Sequence, residues 1–149
     1  MEAKSIPRRI MGIDFGTRRV GIALSDPLQI IAQSLETMEN APPLISRIRE
    51  LVEREDVELV VVGMPFNLKG EKGQKGEEVE RFLLQLRKQL PVDVVTWDER
   101  FTSTLAHSTM LQMGTRKKER QTDKGRIDSM AAAIMLQGYL DSRKKSLSC

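Results

Sequence analysis

Arg9-Ile10-Met11-Gly12-Ile13-Asp14-Phe15-Gly16-Thr17-Arg18-Arg19-Val20-Gly21-Ile22-Ala23-Leu24-Ser25 carries two apolar runs on either side of a short polar turn. The runs have strand length, and the connection at Gly16-Thr17-Arg18-Arg19 is hairpin-sized. The segment therefore predicts two strands, Arg9–Phe15 and Val20–Ser25, paired as a hairpin. Asp14 stands at the end of the first. A buried strand fixes a carboxylate in place, and Gly16 lets another backbone or a ligand come close. Such a carboxylate can hold a cation next to a phosphate, although taken alone Asp14 also fits a turn or a cap.

Working outward, Pro27 marks a turn before a third strand over Ile30–Thr37. Pro42-Pro43 opens a helix with Leu44, Ile45, Ile48, Leu51 and Val52 at helical spacing. The β-branched run Val57–Gly63 reads as a strand covered on both faces. Met64–Gly73 reads as a loop, and Glu77–Leu90 as a second helix closed by Pro91. Val92–Trp97 is the last strand. Thr102–Met113 is a third helix ended by Gly114, residues 115–125 are a polar, basic connection, and Ile127–Leu140 is a final helix rich in Ala and Met. The hairpin comes first and βα units follow, which implies an α/β class with a mixed five-stranded sheet and helices on both faces. This is the element order of the ribonuclease H-like fold. No internal repeat or linker divides the chain, so residues 1–149 are expected as one domain, with 1–8 and 143–149 as flexible tails.

Composition narrows the function classes. Apolar residues make up 40% and charged residues 30% of 149 positions, as in an ordinary globular protein. No apolar stretch approaches the ~20 residues that cross a bilayer, and the N-terminal segment lacks the apolar core of a secretory signal. The single cysteine, Cys149, leaves no partner for an internal disulfide, so a reducing, cytoplasmic setting is expected. Between Thr115 and Lys145 nine Lys and Arg stand against four acids, a local excess of five in a chain of net +3. That asymmetry favours a polyanionic partner, although a solvated loop and tail would look the same.

Three acidic positions stand at element ends: Asp14, the pair Asp98-Glu99, and Asp128 in the first turn of the last helix. Magnesium takes oxygen ligands and commonly uses a few carboxylates plus substrate phosphate oxygens. Two such ions can activate a water and stabilise the leaving oxygen of a phosphodiester. With His107 the only histidine, neither a Ser-His-Asp arrangement nor a zinc site competes. Each acid also has a bland reading: Asp128 as an N-cap, Asp98-Glu99 as surface partners of Arg100. Strand parity allows only one of Asp98 and Glu99 into a shared site. Trp97 reads as core, and 4% aromatics disfavour a binder based on base stacking.

Four ordered motifs carry a resemblance. Ile13-Asp14-Phe15-Gly16-Thr17, Val62-Gly63-Met64-Pro65 with Asn67 and Gly70, Asp98-Glu99-Arg100-Phe101-Thr102-Ser103, and Lys124-Gly125-Arg126-Ile127-Asp128-Ser129 resemble the YqgF family, the RuvX-like Holliday-junction resolvases also described as pre-16S rRNA processing nucleases. The match runs from about Arg9 to Tyr139. It implies the ribonuclease H-like fold, Asp14, Glu99 and Asp128 as catalytic metal ligands with Asp98 beside them, and a role in ribosome maturation. Leu105 departs from the pattern, since members often carry an acid there.

The expected activity is a Mg²⁺- or Mn²⁺-dependent endonuclease with a two-metal site, acting on precursor 16S rRNA or on branched DNA. Arg100 and Lys124 would contact phosphate, while Arg116, Lys117, Lys118, Arg120 and Arg126 steer the polyanion. Thr17, Thr102 and Ser103 would hydrogen-bond phosphate oxygens. A monomer or a homodimer is expected, and a junction resolvase would need two active sites and hence a dimer. A catalytically silent nucleic-acid-binding module is the alternative from another class. Asp-Phe-Gly-Thr before an apolar strand is also similar to the first phosphate loop of actin/Hsp70-like ATPases, but those close two related lobes and this chain shows one.

Overall fold

The computed structural model describes residues 8–65, 73–99 and 124–147. Five strands and three helices follow in the order β1 (Arg9–Phe15), β2 (Arg19–Ser25), β3 (Ala32–Glu39), α1 (Leu44–Arg54), β4 (Val57–Met64), α2 (Gln74–Gln89), β5 (Asp93–Asp98) and α3 (Lys124–Leu147). The sheet runs β3-β2-β1-β4-β5. β1 and β2, and β2 and β3, are antiparallel, while β4 lies parallel to both β1 and β5. This is the mixed five-stranded sheet of the ribonuclease H-like fold.

Alternation along each strand sorts the side chains into two layers. Met11, Ile13, Val60, Val62 and Val94 pack against Ile48 and Leu51 of α1 and Phe82 and Leu86 of α2. Ile10, Ala23 and Val61 face the other way, onto Ala132, Ala133, Leu136 and Leu140 of α3. Small residues let α3 approach closely: a methyl group added at Gly12 would stand 2.8 Å from Leu136 Cβ. Trp97 packs edge-on against Tyr139 at 5.9 Å in this second layer, a core position as expected.

Several boundaries differ from expectation for identifiable reasons. β3 begins at Ala32 rather than Ile30, because the Asp26 carboxylate accepts hydrogen bonds from the backbone N–H groups of Leu28, Ile30 and Ile31 at 3.1, 2.7 and 2.8 Å. Those bonds fold 26–31 into a turn and hold its donors out of the ladder. α2 starts at Gln74, three residues before Glu77, and is entered through Gly73. α3 runs from Lys124 to Leu147, so Lys124 and Gly125 are helical rather than loop, and 143–147 continue the helix instead of forming a tail. The helix expected over Thr102–Met113 and the segment 115–123 lie outside the described residues. Among those described, no helix is long and apolar enough to cross a membrane.

Candidate active site

Asp14 is the sixth residue of β1, on the face that α3 covers. Directly opposite it on β2 is Gly21. On β4, one step beyond the Ile13–Val62 pair, is Gly63, which in turn pairs with Trp97 of β5. Gly21, Asp14, Gly63 and Trp97 therefore form one row across the sheet, with Asp14 between two residues that have no side chain.

Both vacant places are filled by the other expected acids. A methyl group at Gly21 would collide with the backbone carbonyl of Asp128, so α3 lies down on the sheet at this point. A methyl group at Gly63 would stand 2.5 Å from Glu99 Oε2 and 3.1 Å from its Cδ and Cγ. Glu99 follows the end of β5 and folds back over Gly63. Asp98 pairs with Met64 one residue earlier, and alternation sends it to the opposite face. The structure thus brings Asp14, Glu99 and Asp128 to one row and leaves Asp98 behind it.

Crowding of like charge shows in the titration of the group. Burial, and then the Asp14 carboxylate, push the Glu99 carboxyl up to about 7, with Asp98 adding to the rise and Lys75 opposing it. Burial raises Asp14 as well; Lys75 lowers it and Asp128 raises it. Asp128 is held by Arg19, whose Nε donates to Oδ2 at 2.6 Å. The bland reading of Asp128 as an N-cap does not apply, because α3 begins four residues earlier.

Lys75, in the first turn of α2, and Arg19, at the start of β2, are residues that reading the sequence missed. Both lie in charged, solvated stretches with no local mark of their role. Asn40 is a third: its Nδ2 donates to the carbonyl oxygens of Gly16 at 2.8 Å and Thr17 at 3.2 Å, and its N–H donates to Arg18 O at 2.8 Å, which secures the β1–β2 turn. Thr17 is exposed on that turn. The space expected at Gly16 is taken by the carbonyl of Arg19 rather than left open. Lys124 and Arg126 stand in the first turn of α3, at the end that carries Asp128. Arg100, Thr102, Ser103, Arg116, Lys117, Lys118 and Arg120 lie outside the described residues.

Among the described residues no group of three or more His, Cys, Asp and Glu side chains is placed so as to hold a metal ion. The donor types nevertheless suit a hard divalent cation, since all three are carboxylates, and the Asp14 charge adds to burial in raising the Glu99 carboxyl. Magnesium seldom occupies an all-protein cage; it keeps waters and takes substrate oxygens for the remaining positions.

Comparison with known proteins bears on the family. A family model described as "RuvX: Holliday junction resolvase" matches residues 8–142. A Chlorobaculum tepidum protein named "Putative pre-16S rRNA nuclease" is 44% identical over 143 residues, covering 94% of this chain and 98% of its own. An Acetivibrio thermocellus protein of the same name is 43% identical, covering 93% and 99%. Among solved structures, Thermus thermophilus RuvC in complex with a Holliday junction substrate superposes with a TM-score of 0.59 at 17% identity, over 92% of this chain and 96% of that one. The fowlpox virus Holliday junction resolvase gives 0.52 at 12% identity, over 90% and 99%. At such identities the structures speak for the fold. The family model and the close relatives speak for descent, and by both the chain belongs to the RuvX family.

Proposed function

We propose that the chain is a divalent-metal-dependent endonuclease that hydrolyses phosphodiesters of structured RNA, with the 5′ end of precursor 16S rRNA as its substrate. One observation carries the reading: at the end of the central strand Asp14 lies between two glycines, and Glu99 and Asp128 occupy the space over them. The names of the close relatives point to the same substrate. A cytoplasmic site of action follows from that substrate.

In this reading Asp14, Glu99 and Asp128 hold Mg²⁺ or Mn²⁺, which would supply activation of a water and stabilisation of the leaving oxygen. The water oxygen bonds to phosphorus while the ester oxygen departs, and the water's proton passes to solvent or a carboxylate. Glu99 must shed its own proton to serve as a ligand, so metal affinity rises with pH towards and above neutrality. Arg19 keeps Asp128 turned towards the row, and Lys75 partly neutralises Asp14 and Glu99 until the cation arrives. Lys124 and Arg126 contribute positive charge for the backbone of the substrate.

A second reading, a Holliday junction resolvase, is favoured by the description of the family model. It requires two such rows, and hence a dimer. Cleavage of precursor 16S rRNA and of a four-way DNA junction by the purified chain, with Asp14→Asn as control, separates the two. Equal cleavage by Asp14→Asn would remove the carboxylate row from the mechanism. Failure of Mn²⁺ to bind in a manner dependent on Asp14 and Asp128 would leave a non-catalytic binding module.

A further inference from the structure

On the face of the sheet covered by α1 and α2, beneath the β1–β2 turn, lies a groove of about 580 Å³. Its floor is Phe15 backed by Phe82, their ring centroids 4.5 Å apart. Pro42 and Pro43, leading into α1, form one wall, and Arg81 and Gln85 of α2 lie on the other. We propose that this groove seats one nucleotide of the substrate strand beside the scissile phosphate. The proposal rests on the nuclease reading above and adds to it a subsite for a base.

Size, chemistry and position each support this occupant. The volume lies within the ~300–1,000 Å³ of small-ligand sites. A base offers two apolar faces and a polar rim, and the groove offers the complement: an aromatic ring and prolines for the faces, amides and a carboxylate (Gln85, Gln89, Glu78) for the rim. Arg81 supplies a planar cation for the attached phosphate. Among the described residues the side chains of Arg81, Gln85 and Gln89 make no hydrogen bond or ion pair, so their polar groups are available. α1 also enters the lining through Leu44, Ile45 and Ser46 with no side-chain cap and no acid in its first turn, so no carboxylate from that turn competes for the same donors.

Position ties the groove to the catalytic row. Thr17 lines the groove and stands three residues after Asp14, so the two Cα atoms are at most ~11 Å apart. The row and the groove lie on opposite faces of the sheet at the end of β1, and among the described residues the turn at 16–18 joins them. Asn40 pins that turn from the groove side and itself lines the groove. A single strand crossing the end of β1 would pass from the carboxylates over the turn and into the groove.

The test uses the full chain carrying Asp14→Asn, so that binding is read without turnover. The aromatic resonances of Phe15 and Phe82 are followed by NMR during titration with AMP, GMP, CMP and UMP, and separately with ribose 5-phosphate and inorganic phosphate. Selective shifts with at least one nucleoside monophosphate are expected, with affinity reduced about tenfold or more by Arg81→Ala combined with Gln85→Ala. Circular dichroism checks that this surface double variant is folded. Equal shifts with ribose 5-phosphate would reduce the groove to an anion site and overturn the base slot. Shifts confined to other residues, or none at millimolar nucleotide, would overturn it outright. Failure of the nuclease reading shows elsewhere, as cleavage that persists in Asp14→Asn, and leaves the ring shifts to be judged by themselves.

Discussion

Replacing Glu99 by Gln should stabilise the folded chain at alkaline pH. The change keeps the shape that rests on Gly63 and removes the charge. A carboxyl that titrates at about 7 in the folded chain and at 4.5 when unperturbed corresponds to about 3 kcal/mol of unfavourable ionisation. Solvent reaches part of this group, and screening reduces the figure to about 1.5 kcal/mol. Between these two values the folded chain holds a proton that the unfolded chain has released, so stability falls as pH rises through that window. The penalty is complete above about 7 and absent below 4.5. Glu99→Gln should therefore gain about 1.5 kcal/mol at pH 8, or roughly 3–6 °C in Tm for a domain of this size, with the gain fading towards pH 4.5. Urea denaturation of both proteins at several pH values measures it. A gain of the same size at every pH, or a loss at pH 8, would refute the placement of Glu99 against Asp14. If the row takes a divalent cation, Mg²⁺ at pH 8 should stabilise the wild type more than the variant and narrow the gap.

The two glycines beside Asp14 should respond differently to alanine. Gly21→Ala meets the backbone of Asp128 and should cost ~1–3 kcal/mol of stability in denaturant melts. Gly63→Ala meets first the Glu99 side chain, which can move, so the fold should survive while cleavage drops ~100-fold through misplacement of a carboxylate. Arg19→Ala should change stability by less than ~1 kcal/mol, because the pair is partly exposed. It should still slow cleavage ~10-fold by releasing Asp128, with Arg19→Lys recovering part of the loss. Lys75→Ala removes the charge that opposes the rise at Asp14 and Glu99, so both should titrate higher and the acid limb of the pH–rate profile should move towards alkaline pH. Lys75→Arg should leave that limb where it is.

The strands and the acids were legible because each follows from local pattern. β1 and β2 read correctly from two apolar runs and a four-residue turn, and Asp14, Glu99 and Asp128 stood out as acids at the ends of apolar segments. What escaped was relational. Nothing near Lys75 or Arg19 marks either as facing a carboxylate 24 or more positions away. The register that puts Gly21 and Gly63 on either side of Asp14 exists only once β1 is paired on both edges. Gly16, two residues after Asp14, looked like the close-approach glycine, but its room serves the turn. Ile30 and Ile31 read as strand by composition, yet one carboxylate, Asp26, accepts from three N–H groups and draws them into a turn. A side chain that competes for backbone donors overrides an apolar run, and composition carries no record of it.

The contact between Gly21 and Asp128 also sets an order in time. The three acids enter the chain at positions 14, 99 and 128, and domains form from the N-terminus as synthesis proceeds. When the first hundred residues have emerged, Asp14 and Glu99 can meet over Gly63, but nothing yet covers Gly21. The row closes only when the last helix has left the tunnel and settled on the sheet. A half-made chain therefore carries an incomplete row, which closes only after the start of α3 has emerged and Asp128 has settled over Gly21.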